Sequence, residues 1–203
     1  MNDEKKEEFN KQWLLNYPDS PPVSHWFKWA YPDRWFRIHS LPKSKRYADN
    51  DKEWKILLER QNAIITDIFG LGTEVYLVAS DADWELETLS ALHNADGEMY
   101  QFVHLGQTDL YKLDVEYYRD TYIFDNHTFK PVFAEVIWKP HLHDNLLKEI
   151  ANDNTCAFFV SFSKETIIAP YDGGIDFVIK DDMAKDFYKN KYKEWLSSRI
   201  NGL

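Results

Sequence analysis

The residues best suited to chemistry in this 203-residue chain fall in two places. The first runs from Lys28 to Arg46, where six cations (Lys28, Arg34, Arg37, Lys43, Lys45 and Arg46) face a single Asp33. That is a local charge of +5 in a chain of net −10. Cations with aromatic residues between them can grip a phosphate or an acidic surface, or can simply neutralise the acidic residues around them. No glycine-rich phosphate loop accompanies them. The second place is Ala169-Pro-Tyr-Asp-Gly-Gly-Ile-Asp176. Asp-Gly pairs suit tight hairpin turns because they accept positive φ, and such a turn sets Asp172 and Asp176 near each other beside Tyr171. It reads both as a well-made turn and as a small polar site.

Other chemistries find less support. His141-x-His143-Asp144 has a metal-ligand spacing, with His104 or His127 as a third ligand, but it follows Pro140 in a loop with no paired-cysteine or HExxH pattern. These histidines read as surface or hydrogen-bonded groups, so neither a metal nor a cofactor is expected. Cys156 opens an apolar run, Cys-Ala-Phe-Phe-Val, and reads as a buried, inert thiol. No serine stands in a nucleophile elbow. The 34 Asp and Glu residues offer no reason to single out one catalytic pair.

The elements that position these groups follow from hydrophobic periodicity. Phe9, Trp13 and Leu14 predict a helix over 7–17, stopped by Pro18. Residues 18–32 hold four prolines and several aromatics and read as a loop. Trp35–His39 alternates as a strand, and 41–50 is a polar loop. The clearest helix is 51–69, where Trp54, Leu57, Leu58, Gln61, Ile65 and Ile68 share one face. Asn50 with Glu53 resembles a capping box and Gly70 suits the position after the helix. Strands are expected over 73–79, 99–105, 110–118, 122–124, 132–138, 156–162, 166–169 and 175–179, with a short helix over 145–151, a segment over 84–92 whose pattern is ambiguous and open to a short helix, and a closing helix over about 181–200. Clustered strands joined by short polar connections imply antiparallel hairpins. The fold class is therefore α+β: a single domain over 1–203, mainly an antiparallel sheet flanked by the 51–69 and 181–200 helices. Residues 1–33 form a helical, Pro- and aromatic-rich N-terminal extension.

Several segments resemble a family of uncharacterised bacterial proteins with a Tyr-Asp-Asp-Arg-Gly motif near the C-terminus. They are Arg34-Trp-Phe-Arg-Ile38, the helix from Trp54, Glu74-Val-Tyr-Leu-Val78, the stretch Phe158–Asp176 and Tyr192-Lys-Glu-Trp-Leu196. Tyr171, Asp172, Gly174 and Asp176 match that motif, while Gly173 stands where the family has arginine. The resemblance implies a small cytoplasmic accessory protein, of a kind found beside toxin genes, and transfers no activity.

Composition narrows the function classes. One cysteine permits no internal disulfide and fits a reducing cytoplasm. No apolar run approaches the length of a membrane span, and residues 1–8 have no signal-peptide character. A net charge of −10 disfavours nucleic acid and suits a basic partner. Two functions remain in view. One is a non-catalytic acidic cytoplasmic binding protein with a protein partner, such as an immunity or inhibitor protein for a basic bacterial toxin. The alternative is a small phosphate- or nucleotide-handling enzyme that uses the 34–46 loop and the 171–176 turn. The candidate binding residues are Arg34, Arg37, Lys43, Lys45, Arg46, Tyr171, Asp172 and Asp176.

Overall fold

The computed structural model describes residues 2–80, 91–109 and 128–197. The 84–92 segment, all but its last two residues, and the expected 110–118 and 122–124 strands lie outside these residues, as does His127. Helix α1 spans Asn2–Asn16, α2 Phe27–Ala30, α3 Asp51–Phe69, α4 Asp144–Ala151 and α5 Asp182–Lys191. The strands are β1 (Trp35–His39), β2 (Glu74–Ser80), β3 (Val103–His104), β4 (Thr108–Asp109), β5 (Thr128–Phe129), β6 (Pro131–Ile137), β7 (Ala157–Ser161), β8 (Thr166–Tyr171) and β9 (Gly174–Val178). Seven of them form one sheet in the order β1-β9-β8-β7-β2-β6-β3, antiparallel throughout, and β4 pairs with β5. The fold is α+β, as the clustering of strands predicts.

Alternation along the strands gives this sheet two apolar faces. Phe36, Ile38, Leu77, Phe159, Ile168, Ile175 and Phe177 share a core with Leu57, Ile64, Ile65 and Ile68 of α3 and Leu146, Leu147 and Ile150 of α4. On the opposite face Val78, Phe133, Phe158, Val160, Ile167, Ala169 and Val178 pack with Phe9 and Trp13 of α1 and with Tyr17, Phe27 and Tyr31. The segment before β1 thus builds the core of one face. Trp13 anchors its return by donating from Nε1 to the Ser20 carbonyl at 2.7 Å. Central strands covered on both faces carry few polar side chains, which is why β7 and β9 read as near-continuous apolar runs.

Local chemistry sets the helix ends. Asn50 Oδ1 accepts from the Glu53 backbone N–H at 3.1 Å, and Gly70 takes φ +85° as α3 stops. The Glu53 carboxylate accepts from the Asp49 N–H and not from Asn50, so only half of the expected capping box forms. Asp181 caps α5 by accepting from the Ala184 N–H. The expected closing helix is shorter than 181–200. It stops at Lys191, a 3-10 turn follows over Lys193–Trp195, and Leu196 bridges to Ile38 of β1. Pairing with the edge strand, with Arg60 stacked over the Trp195 ring at 5.1 Å, wins over helix continuation. The 18–32 loop in turn contains a 3-10 turn, Ser24–Trp26, and the single helical turn α2.

His143, which the sequence reads as a surface or hydrogen-bonded group, is buried in the core between Tyr100 and Trp138. Its Nε2 faces the Ile137 carbonyl at 3.1 Å, so that nitrogen must donate, and Nδ1 accepts from the Tyr100 hydroxyl at 2.9 Å. His141 pairs with Asp144 through Nδ1 at 2.9 Å. Among the described residues no cluster of three His, Cys, Asp or Glu is placed to hold a metal ion.

Two predictions follow from this packing. Gly174 in β9 passes so close to β1 that an added Cβ would lie 1.9 Å from the Ile38 carbonyl oxygen. Gly174→Ala is expected to cost at least about 3 kcal/mol in denaturant unfolding, because the obstacle is backbone and cannot rotate away. Burial lowers the pKa of His143 below its ordinary 6.5. The unfolded chain therefore binds the proton first, so stability is full above pH 6.5 and falls as pH drops toward the folded value. Melting temperature should decline in that window, and His143→Phe should flatten the decline.

Candidate functional site

The antiparallel register of β1, β9 and β8 places Arg37 opposite Asp176 and Asp176 opposite Ala169. Phe36 and Ile38 point to the α3 face, so Arg37 must point to the other. There its guanidinium binds Asp176 through both arms: Nε to Oδ1, and Nη2 to Oδ2 at 2.8 Å. The two side chains are 16% and 10% exposed. The Arg37 guanidinium also stacks over the Tyr171 ring at 4.5 Å and the Trp35 ring at 5.4 Å. Burial opposes the charge on Arg37, but the carboxylate more than offsets this and its pKa is raised. Burial likewise pushes the Tyr171 hydroxyl well above its ordinary value, so it is neutral.

The β8–β9 turn is Asp172-Gly173, and it is held from α3. Gln61, a polar residue on the apolar face of that helix, donates from Nε2 to Ser40 Oγ at 2.9 Å. The Ser40 N–H donates to the Gly173 carbonyl. Asp172, 5% exposed, accepts from Arg46 Nε and from the Tyr47 hydroxyl at 2.9 Å, both on Oδ2. That bond raises the pKa of both partners, Arg46 and Tyr47. A Cβ at Gly173 would meet the Tyr171 ring at 2.8 Å, so the turn is fitted to its own tyrosine.

The 34–46 cations therefore divide. Arg37 and Arg46 meet the 171–176 turn across more than 120 residues of chain. Arg34 does not: it bonds the Ile179 and Glu165 carbonyls and stacks over Tyr17 and Tyr31. Lys45 binds Asp49 and Glu53, which neutralises local acid. Lys43 is exposed, at φ +59°, and outside the cleft.

Arg37, Arg46, Tyr171, Asp172 and Asp176 line a cleft of about 250 Å³, and Lys28, Ser24, Asp153, Thr155 and Cys156 complete its polar lining. Cys156 corrects the sequence reading. It precedes β7, whose first residue is Ala157, and is exposed where a buried thiol was expected. Its Sγ lies 3.1 Å from Ser24 Oγ. The sequence carried no signal for Ser24, Asp153 or Thr155. They come from the 3-10 turn before α2 and the turn after α4, and only packing brings those turns to the β8–β9 end of the sheet.

A protein-family model described as a domain of unknown function (DUF3885) matches residues 23–199, nearly the whole chain and every residue of this cleft. The chain belongs to the DUF3885 family. No curated protein and no solved structure matches it. The matched span of this DUF3885 chain begins after α1, so the family model covers the sheet, α2–α5 and the cleft but not the first helix.

The Arg37–Asp176 pair makes a stability prediction for this site. Arg37→Met leaves a buried carboxylate uncompensated and is expected to cost about 3–5 kcal/mol. The double variant Arg37→Met/Asp176→Leu removes both charges and should recover most of that loss, measured by urea unfolding of the three proteins.

Proposed function

We propose that this chain is a non-catalytic binding protein that holds a protein partner with a basic surface. The observation that carries this reading is the distribution of charge along the sequence. Residues 81–127 contain 11 Asp and Glu against two Lys and Arg, so they hold −9 of the net −10, together with eight aromatic residues. The rest of the chain is close to neutral. One concentrated acidic stretch steers a basic partner and opposes an acidic one, and aromatic side chains contribute contact area at low entropic cost. An immunity or inhibitor protein that masks the basic surface of a bacterial toxin in the cytoplasm is the finer form of the same proposal.

The cleft supports the non-catalytic part. Its two arginines are answered by Asp176 and Asp172, and a phosphate would have to displace a carboxylate from one of them. The second reading, a phosphate- or nucleotide-handling enzyme, rests on the convergence of Arg37 and Arg46 upon the Tyr171 turn.

Co-expression of the tagged full chain with the genes flanking its locus tests the proposal. The expected result is a stoichiometric, basic partner whose affinity falls steeply from low to high salt. Replacing Asp114, Glu116, Asp120 and Asp125 by their amides should weaken it at least about tenfold. An acidic partner, a salt-independent one, or none at all sinks the reading. So does a rise in melting temperature with inorganic phosphate or ATP that disappears in Arg46→Ala, which is the outcome the enzyme reading expects.

A further inference from the structure

A groove of about 610 Å³ opens between α1 and the ends of β2, β6 and β7. Strand alternation decides what faces it. Val75, Leu77 and Val136 pack with the α3 core, so Glu74, Tyr76, Glu135 and Ile137 point to the α1 face. The register sets Tyr76 directly opposite Glu135, and Glu74 opposite Ile137. Phe162 follows β7, with its ring 5.2 Å from that of Tyr76. Helix α1 supplies Glu8 and Gln12, neighbours on one helix face. The groove therefore has a half-buried aromatic floor, the exposed Ile137 beside it and three exposed carboxylates around it.

Elsewhere this chain shows what it places between a tyrosine ring and a carboxylate. Arg37 bonds Asp176 and lies over the Tyr171 ring at 4.5 Å. Arg46 bonds Asp172 and lies over the Tyr47 ring at 5.4 Å. Lys191 bonds Asp67 at 2.7 Å and lies over the Tyr192 ring at 5.6 Å. In each case a carboxylate and an aromatic face hold one cation from two sides. Tyr76 and Glu135 repeat that pairing without the cation over the ring. Lys5 bonds Glu135, Lys11 comes within 4.0 Å of Glu8, and Gln12 donates to Glu8. Among the described residues, however, no cation lines the groove and none lies over the Tyr76 or Phe162 ring.

We propose that this groove docks an arginine side chain of a basic partner protein, with the guanidinium over the Tyr76 ring and among the Glu74 and Glu135 carboxylates. Its aliphatic stem lies along Phe162 and Ile137, since a long charged side chain needs apolar surface beneath it. Arginine suits the site better than lysine. A flat guanidinium stacks on a ring while its edge bonds a carboxylate, and it is more weakly hydrated than an ammonium. Three carboxylates reject phosphate and acidic peptides. This deepens the reading of a basic protein partner and rests on it for the source of the arginine. The acidic 81–127 stretch attracts at a distance, and the groove supplies the contact.

Titrating the full chain into a fluorescein-labelled hexa-arginine peptide, read by anisotropy, tests the inference. Tyr76→Leu and Phe162→Leu change no charge and should each weaken binding at least about threefold, while Tyr76→Phe keeps it. Glu74→Gln, at an exposed carboxylate, should weaken it by a similar factor and leave the melting temperature unmoved. Hexa-lysine should bind at least about threefold more weakly, and a hexa-citrulline peptide, neutral and of the same shape, should not bind. The ring effect should persist when Asp114, Glu116, Asp120 and Asp125 are replaced by their amides, because the groove and the acidic stretch then act independently. Affinity indifferent to both ring variants, or equal for lysine and arginine, overturns the arginine groove even where co-expression yields a basic partner. Ring-dependent, arginine-selective binding upholds the groove even where co-expression yields none, and then only the partner reading fails. The lysine and citrulline comparisons use the unmodified chain, so they decide the matter even if a leucine variant does not fold.

Discussion

Strand β1 approaches β9 at Gly174 so closely that no side chain fits between the Gly174 backbone and the Ile38 carbonyl. That contact sets the register in which Arg37 faces Asp176. A slip of one residue would send Arg37 into the α3 core and expose Phe36 and Ile38. The close approach also carries β1 onward to Ser40, whose N–H holds the Gly173 carbonyl, and from there to Arg46 and Tyr47 at Asp172. The 171–176 hairpin, the edge strand and the basic loop are therefore one mechanical unit fixed to α3 through Gln61.

Within that unit the electrostatics are local and mostly satisfied. A buried bidentate ion pair contributes little net stability compared with apolar residues of the same shape, since desolvation offsets the attraction. What it does contribute is orientation: the guanidinium plane is fixed against Tyr171, and the cleft inherits a rigid polar floor. The other cations of the basic loop have ordinary work, Lys45 at the N-terminus of α3 and Arg34 against backbone carbonyls and tyrosine rings. The strong acidic bias resides elsewhere, in residues 81–127. In sequence, that stretch contains none of the residues that line the cleft.

The sheet, its antiparallel hairpins and α3 were legible from periodicity because apolar faces must be buried and the period reveals which face. Trp54, Leu57, Leu58, Ile65 and Ile68 announce one side of a helix, and Gln61 among them proved a buried polar tether. The Tyr171–Asp176 turn was legible from Asp-Gly chemistry. The length of α5 was not, because Leu196 leaves the helical path to pair with Ile38, a contact between residues far apart in sequence. The exposure of Cys156 was hidden for a similar reason: an apolar run shows that a strand is buried, but not which residue is its first.

The sequence by itself determined the fold class, the main elements, the turn at Asp172 and the concentration of acid, because these depend on neighbours along the chain. Only the tertiary structure decided which cations of the 28–46 stretch reach that turn. It alone brought Ser24, Asp153 and Thr155 to the same cleft. Which side chains meet across the sheet depends on strand order and register, and those follow from how the two faces are covered by α1, α2, α3 and α4. No local pattern carries that information, since a lysine or arginine in a loop has the same appearance whether it ends in solvent or against a buried carboxylate.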